Sequence, residues 1–199
     1  YEISACLVGS EMCIRDSSQG DYPLKGFHYL LQAMQEILQN CPEAHIKVAG
    51  ISVLGVNGIK SRIKIPAYGK YLRRLILKNR LEGKVRVLGN LSAEEMKREY
   101  LSAQIFVCPS AVENSPNSVA EGQLLGVPVA ASRTGGIPDV VKDGVSGLLF
   151  EKGNIHELAA CVSRILTDKQ LAKELSASER ETACLLYTSP SPRDRQKSR

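Results

Sequence analysis

No apolar run in this chain of 199 residues approaches the roughly 20 residues that cross a bilayer, so no segment reads as a membrane-spanning helix. No internal repeat is detectable, which sets aside repeat architectures. No group of His, Asp and Cys residues has metal-ligand spacing, so no metal centre is expected. No G-x-G-x-x-G opens the first helical segment, which disfavours a dinucleotide-binding domain. The net charge of +5 is mild and diagnoses no partner.

The two ends need separate treatment. "LVGSEMCIRDS" (Leu7 to Ser17) and "CLLYTSPSPRD" (Cys184 to Asp194) resemble one sequencing-library transposon adapter translated in opposite orientations. The outer residues, "YEISAC" and "RQKSR", back-translate to one barcode and its reverse complement. Tyr1–Ser17 and Cys184–Arg199 are therefore expected to be translated library sequence, set aside from fold reasoning. The remaining stretch, Ser18 to Ala183, has 166 residues, suits one domain and is ample for a sizeable core. It is expected to be a fragment of a longer chain. The ends carry five basic and four acidic residues, so without them the net charge is +4. Three of the six cysteines go with the ends. Cys41, Cys108 and Cys161 remain, an odd number that reads as buried thiols in a reducing cytosol.

Within Ser18–Ala183, strand-length apolar runs alternate with helical periodicity. "HIKVAG" (His45–Gly50), "KVRVLG" (Lys84–Gly89), "QIFVCPS" (Gln104–Ser110), "PVAAS" (Pro128–Ser132) and "GLLFE" (Gly147–Glu151) read as strands. Helices are predicted over Leu24–Gln39, Ala67–Leu81, Ser92–Ser102, Pro116–Leu125, Ile155–Leu166 and Lys169–Leu175. Ser92 and Glu95 form a capping-box pattern. Such alternation implies a doubly wound α/β fold with parallel strands and helices on both faces. Ligands bind there at the carboxyl ends of strands.

One stretch after such a strand carries the site chemistry. "ENSPNSVAE" places Glu113 and Glu121 eight positions apart around a helix start. Ser115 suits the N-cap and Pro116 the first helical position. The amides of Asn117, Ser118 and Val119 would then point outward and, with the helix dipole, suit a phosphate. Glu121 lies about a turn and a half into that helix, while Glu113 stays in the loop. A carboxylate beside a diphosphate repels it, so its useful partners are vicinal hydroxyls. Hydroxyls flanking a diphosphate describe a nucleotide sugar. A capped helix with two solvated glutamates is the plainer alternative.

The wider context resembles a known family. "CPSAVENSPNSVAEGQLLGVPVAASRTGGIPDVVKDGVSGLLFEKGN" resembles the donor-binding half of GT-B glycosyltransferases of the retaining family 4. That pattern is P-S-x-x-E-x7-E, G-x-P-V, a G-G pair, an acidic residue and G-x-x-G-x-L, all present in order. "YPLKGFHYLLQAM" is similar to the family's Lys-Gly before its first helix, and "VRVLGNLSAEEMKREYLSAQIFVCPS" to its middle segment. The resemblance runs over nearly all of Ser18–Asp168.

It implies roles residue by residue. Glu121 would bind ribose hydroxyls and Glu113 would face the transferred sugar. Asn114, Ser115 and the amides around Asn117 and Ser118 would line the donor. Lys25 would set its ammonium on the phosphates and stabilise the leaving group; the alternative is an ordinary surface lysine. Leu91 would offer backbone contacts to the base, or serve as a helix-entry staple. No cofactor and no metal is implied. The partners would be a nucleotide sugar and, through an absent N-terminal domain, a glycan or lipid-linked acceptor. The resemblance implies hexose transfer with retention in cell-surface polysaccharide synthesis, in the cytoplasm. The chain alone is then expected to be inactive in transfer. A nucleotide-sugar epimerase on the same fold and a non-catalytic nucleotide-sugar-binding module remain alternatives.

The sequence also departs from the family pattern. Gln19 stands where many members carry Arg, Pro116 where Gly is usual, and Gly122 where Ala is common. The first strand, due just before Ser18, is expected to be lost. Lys60, Arg62, Lys64, Lys70, Arg73, Arg74, Lys78 and Arg80 form a run with no acidic residue. It reads as a solvated face or as a contact with an anionic membrane; no motif supports nucleic acid. His28 and His45 read as structural, and His156 as helix surface.

Overall fold

The computed structural model describes residues 6–8, 12–15, 23–49, 67–114 and 116–188, with side chains from residue 23 to 179. Gln19, Lys60, Arg62, Lys64 and Ser115 therefore lie outside the described residues.

Seven strands form one sheet: β1 (Cys6–Val8), β2 (Met12–Arg15), β3 (Ile46–Ala49), β4 (Val85–Gly89), β5 (Ile105–Cys108), β6 (Val129–Ser132) and β7 (Leu148–Phe150). Their order is β4-β3-β2-β1-β5-β6-β7. The last five are the predicted strands, each shortened by a residue or two at its ends. All four residues of β5, and all four of β6, are buried, which requires cover on both faces of the sheet.

The cover comes from α1 (Phe27–Asn40), α2 (Ala67–Lys78), α3 (Ala93–Ser102), α4 (Asn117–Leu124), α5 (Ile137–Val140), α6 (Ile155–Thr167) and α7 (Lys169–Thr188). Helix α1 packs on α6 and α2, whereas α4 packs on α7 and α5. The i, i+3, i+4 spacing of Phe27, Leu30, Leu31, Met34 and Ile37 puts all five on one buried face of α1. Burial of each such side chain stabilises by about 1.5–3 kcal/mol. Helix α3 starts as expected: Ser92 Oγ accepts from the Glu95 amide, and Glu95 Oε2 accepts from the Ser92 amide at 2.8 Å.

Three findings differ from the sequence expectations. The six strands β2 to β7 run parallel, but β1 is antiparallel to β2, β3 and β5. Residues set aside as non-native thus form two strands between β3 and β5, whereas the sequence reading had the first strand, due just before Ser18, as lost. The physical reason is demand: backbone groups of two central strands need ladder partners, and short apolar segments supply them. Second, α1 begins at Phe27 rather than Leu24, because Pro23–Lys25 forms a 3-10 turn and Gly26 is left-handed at φ 72°. Third, Cys108 is buried, but Cys41 and Cys161 are only half-buried. No helix among the described residues is long and apolar enough to cross a membrane.

Candidate functional site

Strand β5 ends at Cys108, and the loop from Pro109 to Pro116 crosses the carboxyl edge of the sheet into α4. Two other turns hold it. On one side, the amide of Ala111 donates to the Leu24 carbonyl at 2.6 Å. The left-handed Gly26 lies so close that a Cβ there would sit 1.8 Å from the Pro109 carbonyl oxygen. On the other side, the Gly136 amide donates to the Glu113 carbonyl at 3.0 Å, and Thr134 Oγ1 donates to the Ala111 carbonyl at 3.2 Å. A Cβ on Gly135 would meet the Glu113 carbonyl oxygen at 1.6 Å. The Lys-Gly and Gly-Gly pairs are therefore both contacts of one loop.

That clamp brings Lys25 and Glu113 together across 88 positions of sequence: Lys25 Nζ donates to Glu113 Oε2 at 3.0 Å. Glu113 is only 10% exposed in its side chain and Lys25 29%. Ser110 Oγ donates to the same Oε2 at 3.3 Å, and Ser132 Oγ donates to the Ser110 carbonyl. Among the described residues both partners converge on Oε2, so Oε1 is the oxygen left to present elsewhere. The Cys108 thiol, 3.6 Å from Ser110 Oγ, is pushed up to about 11 by burial and stays protonated.

The other expected site residues that are described fall on the same edge. Asn114 and Asn117 are exposed, Ser118 is buried and Glu121 is half-buried in α4. Tyr100 Oη donates to the Ser118 carbonyl at 3.1 Å and ties α3 to the start of α4. The helix begins one residue later than expected. Pro116 takes the N-cap position at φ −80°, ψ 59°, and no side chain caps the helix. The buried Pro116 ring sits under Gly136, and its carbonyl accepts from the Ala120 amide, so it serves as a cap and not as a helical residue. Leu91 follows β4 and packs half-buried against the core, which agrees with a staple and leaves its backbone at the strand end.

Several residues were missed or had no role assigned by sequence. Ser110 and Ser132 each stand at the carboxyl end of a strand, a position that could have flagged them. Gln123 of α4 is fully buried, and its Nε2 donates to the carbonyls of Val140 and Ser146. Asp143 accepts from the Leu149 amide at 2.9 Å and pairs with Arg133 at 2.9 Å. Those bonds account for the acidic residue before G-x-x-G-x-L as a loop fastener. His28 Nδ1 lies 3.1 Å from Tyr68 Oη, and burial lowers its pKa, in keeping with a structural role.

A mostly parallel sheet with flanking helices is the α/β architecture of GT-B glycosyltransferase structures. The structure of HepE from Anabaena in complex with UDP superposes at TM-score 0.73 and 23% identity, over 92% of this chain and 46% of that one. HepE in complex with UDP-glucose gives TM-score 0.69 and 25% identity, over 82% of this chain and 42% of that one. The C-terminal domain of the glycosyl transferase group 1 protein LpcC from Francisella tularensis matches at TM-score 0.70 and 17% identity, over 90% of this chain and 85% of that one.

Residues 20–182 match the family described as glycosyl transferases group 1, and the chain belongs to it as a C-terminal GT-B glycosyltransferase domain. A D-inositol 3-phosphate glycosyltransferase of a Nocardioides species is 31% identical over 169 residues, 82% of this chain and 36% of that protein. The putative glycosyltransferase YtcC of Bacillus subtilis is 29% identical over 83% of this chain and 39% of its own length. The chain thus spans well under half the length of these two relatives.

Proposed function

We propose that this chain is the donor-binding part of a retaining enzyme that moves a hexose from a nucleoside diphosphate sugar to a glycan or lipid-linked acceptor. The observation that carries the reading is the Lys25–Glu113 pair, held at 3.0 Å where β5 opens into α4. In this reading Lys25 holds the diphosphate beside the first-turn amides of Ser118. Glu121 takes the ribose hydroxyls, Glu113 the sugar, and the backbone at Leu91 the base. Asn114, Ser115 and Asn117 complete the donor wall. Lys25 neutralises charge on the departing diphosphate, and no metal is part of the proposal. The setting is cell-surface polysaccharide synthesis in the cytoplasm. The match to HepE bound to UDP and UDP-glucose supports the donor class.

Thermal-shift measurement of the chain with UDP-, GDP- and ADP-sugars tests this, with NAD as control. At about 100 times the dissociation constant, a native-state binder adds roughly 2.7 kcal/mol. One nucleotide series is expected to stabilise the chain, and Glu121→Ala to abolish that shift. A folded chain that ignores every nucleotide sugar ends the proposal.

Two accessory readings accompany it. On α2, Lys70, Arg74, Leu77 and Lys78 are exposed on the side away from buried Leu72 and Leu75, with Leu77 at 62%. A cationic face with a protruding leucine suits an anionic bilayer surface. The chain is expected to float with phosphatidylglycerol vesicles and not with phosphatidylcholine; equal flotation with both ends this reading. We also propose that Tyr1–Ser17 and Cys184–Arg199 are not native, supported by their adapter likeness and a family match confined to residues 20–182. Long-read sequence of the parent gene decides it: native codons at those positions would refute the proposal.

A further inference from the structure

Glu113 has two assignments that conflict electrostatically. It is to face the sugar of an anionic donor, yet it already neutralises Lys25, the cation meant for the phosphates. We infer that the Lys25–Glu113 pair is an exchangeable lock that makes the site favour a nucleotide carrying a sugar over the bare nucleoside diphosphate. The inference rests on the donor-site reading above.

The geometry supplies the parts. Glu113 is 9% exposed and Ser110 2% exposed, so the carboxylate cannot turn to solvent when Lys25 leaves. Its main chain is pinned by the Gly136 amide and by the close approach of Gly135, so it cannot withdraw either. Lys25 sits on a short turn and is nearly three times as exposed as Glu113, at 29% against 10%. It is the partner able to move.

When a diphosphate arrives, the Lys25 ammonium trades a carboxylate for phosphate oxygens. Among the described residues, Glu113 Oε2 then keeps only the Ser110 hydroxyl at 3.3 Å. A largely desolvated carboxylate left with one neutral donor is unfavourable unless new donors come. Sugar hydroxyls are such donors. A bare nucleoside diphosphate brings none. It brings instead an additional ionisable phosphate oxygen at the point where the sugar was attached, which Glu113 repels. Glu113 thereby becomes a specificity determinant, and after transfer it favours release of the nucleotide product.

Calorimetric titration of the full chain with UDP and with UDP-glucose tests the lock. Glu113→Gln keeps the volume and an acceptor for Ser110. It is expected to tighten UDP binding about tenfold, the size of one lost partly buried charge interaction. UDP-glucose binding should stay level or weaken, so the preference for the sugar-bearing ligand collapses. In a Lys25→Met background most of the UDP gain from Glu113→Gln should vanish, since no cation remains to be exchanged. Unchanged or weaker UDP binding by Glu113→Gln overturns the lock alone. So does a full gain without Lys25, which would indicate plain repulsion. A wild-type chain that binds neither ligand overturns both the lock and the donor-site reading. Should Glu113→Gln fail to fold, Lys25→Met decides: an unaltered UDP-glucose to UDP preference in it refutes the lock.

Discussion

Glu179→Gln is expected to flatten the pH dependence of folding between about pH 5 and 9 and to stabilise the chain at the alkaline end by several kcal/mol. Glu179 lies in α7, wholly buried. Its Oε1 accepts from the Val129 amide at 2.8 Å, and Oε2 has no partner among the described residues. Burial pushes its carboxyl from 4.5 up to about 9, with the Val129 bond opposing. In the unfolded chain the group ionises near its ordinary value. Between the two values the folded chain holds a proton that the unfolded chain has released. Stability is therefore greatest below pH 4.5 and falls by about 1.4 kcal/mol per pH unit until the folded value is reached. Undocking of α7 by itself can cap the loss, because local opening needs less energy than global unfolding. Guanidinium melts at pH 5, 7 and 9, followed by circular dichroism, measure it. Parallel slopes for wild type and Glu179→Gln would show that this acid is not the titrating group.

Gly135→Ala should destabilise the chain by roughly 3 kcal/mol or more and release the site loop. The residue is left-handed at φ 52°, where a side chain costs about 1–2 kcal/mol on any backbone. Here the new methyl also collides with backbone, 1.6 Å from the Glu113 carbonyl oxygen and 2.7 Å from its carbon. Neither atom belongs to a flexible side chain, so the loop itself must move, and Glu113 with it. Gly144 is the control. It is left-handed at φ 73° with nothing within 4 Å, so alanine there should cost only the backbone term. Urea melts of both variants separate strain from collision. Equal losses at Gly135 and Gly144 would remove the collision from the account.

Much of this was legible because its signals are local. Val85–Gly89 and Ile105–Cys108 are apolar runs of strand length, and Ser92 with Glu95 is a self-contained cap. The carboxylates at Glu113 and Glu121 were visible by spacing next to a strand end. What stayed hidden depends on contacts between distant segments. That Lys25 reaches Glu113 follows from Gly26 docking on Pro109, which no window of sequence contains. The short α5 escaped because Ile137–Val140 is a single turn around a proline, too brief for periodicity. The inward place of Glu179 was hidden because "SASERET" holds no large apolar residue to mark a buried face. Its place four residues after buried Leu175, itself four after half-buried Leu171, was the available signal for an inward position.

The antiparallel β1 has a consequence for the order of assembly. Strands β3 and β4 pair with each other, as do β5, β6 and β7, and the β1–β2 hairpin is the seam between these two ribbons. Leu7 pairs with Phe106, so the seam joins the earliest described residues to the middle of the chain. A contact of that sequence separation slows folding, because a long loop must close before it forms. Until β5 docks, the β1 edge of that hairpin is open to any other strand, including the same edge of a second copy of this chain.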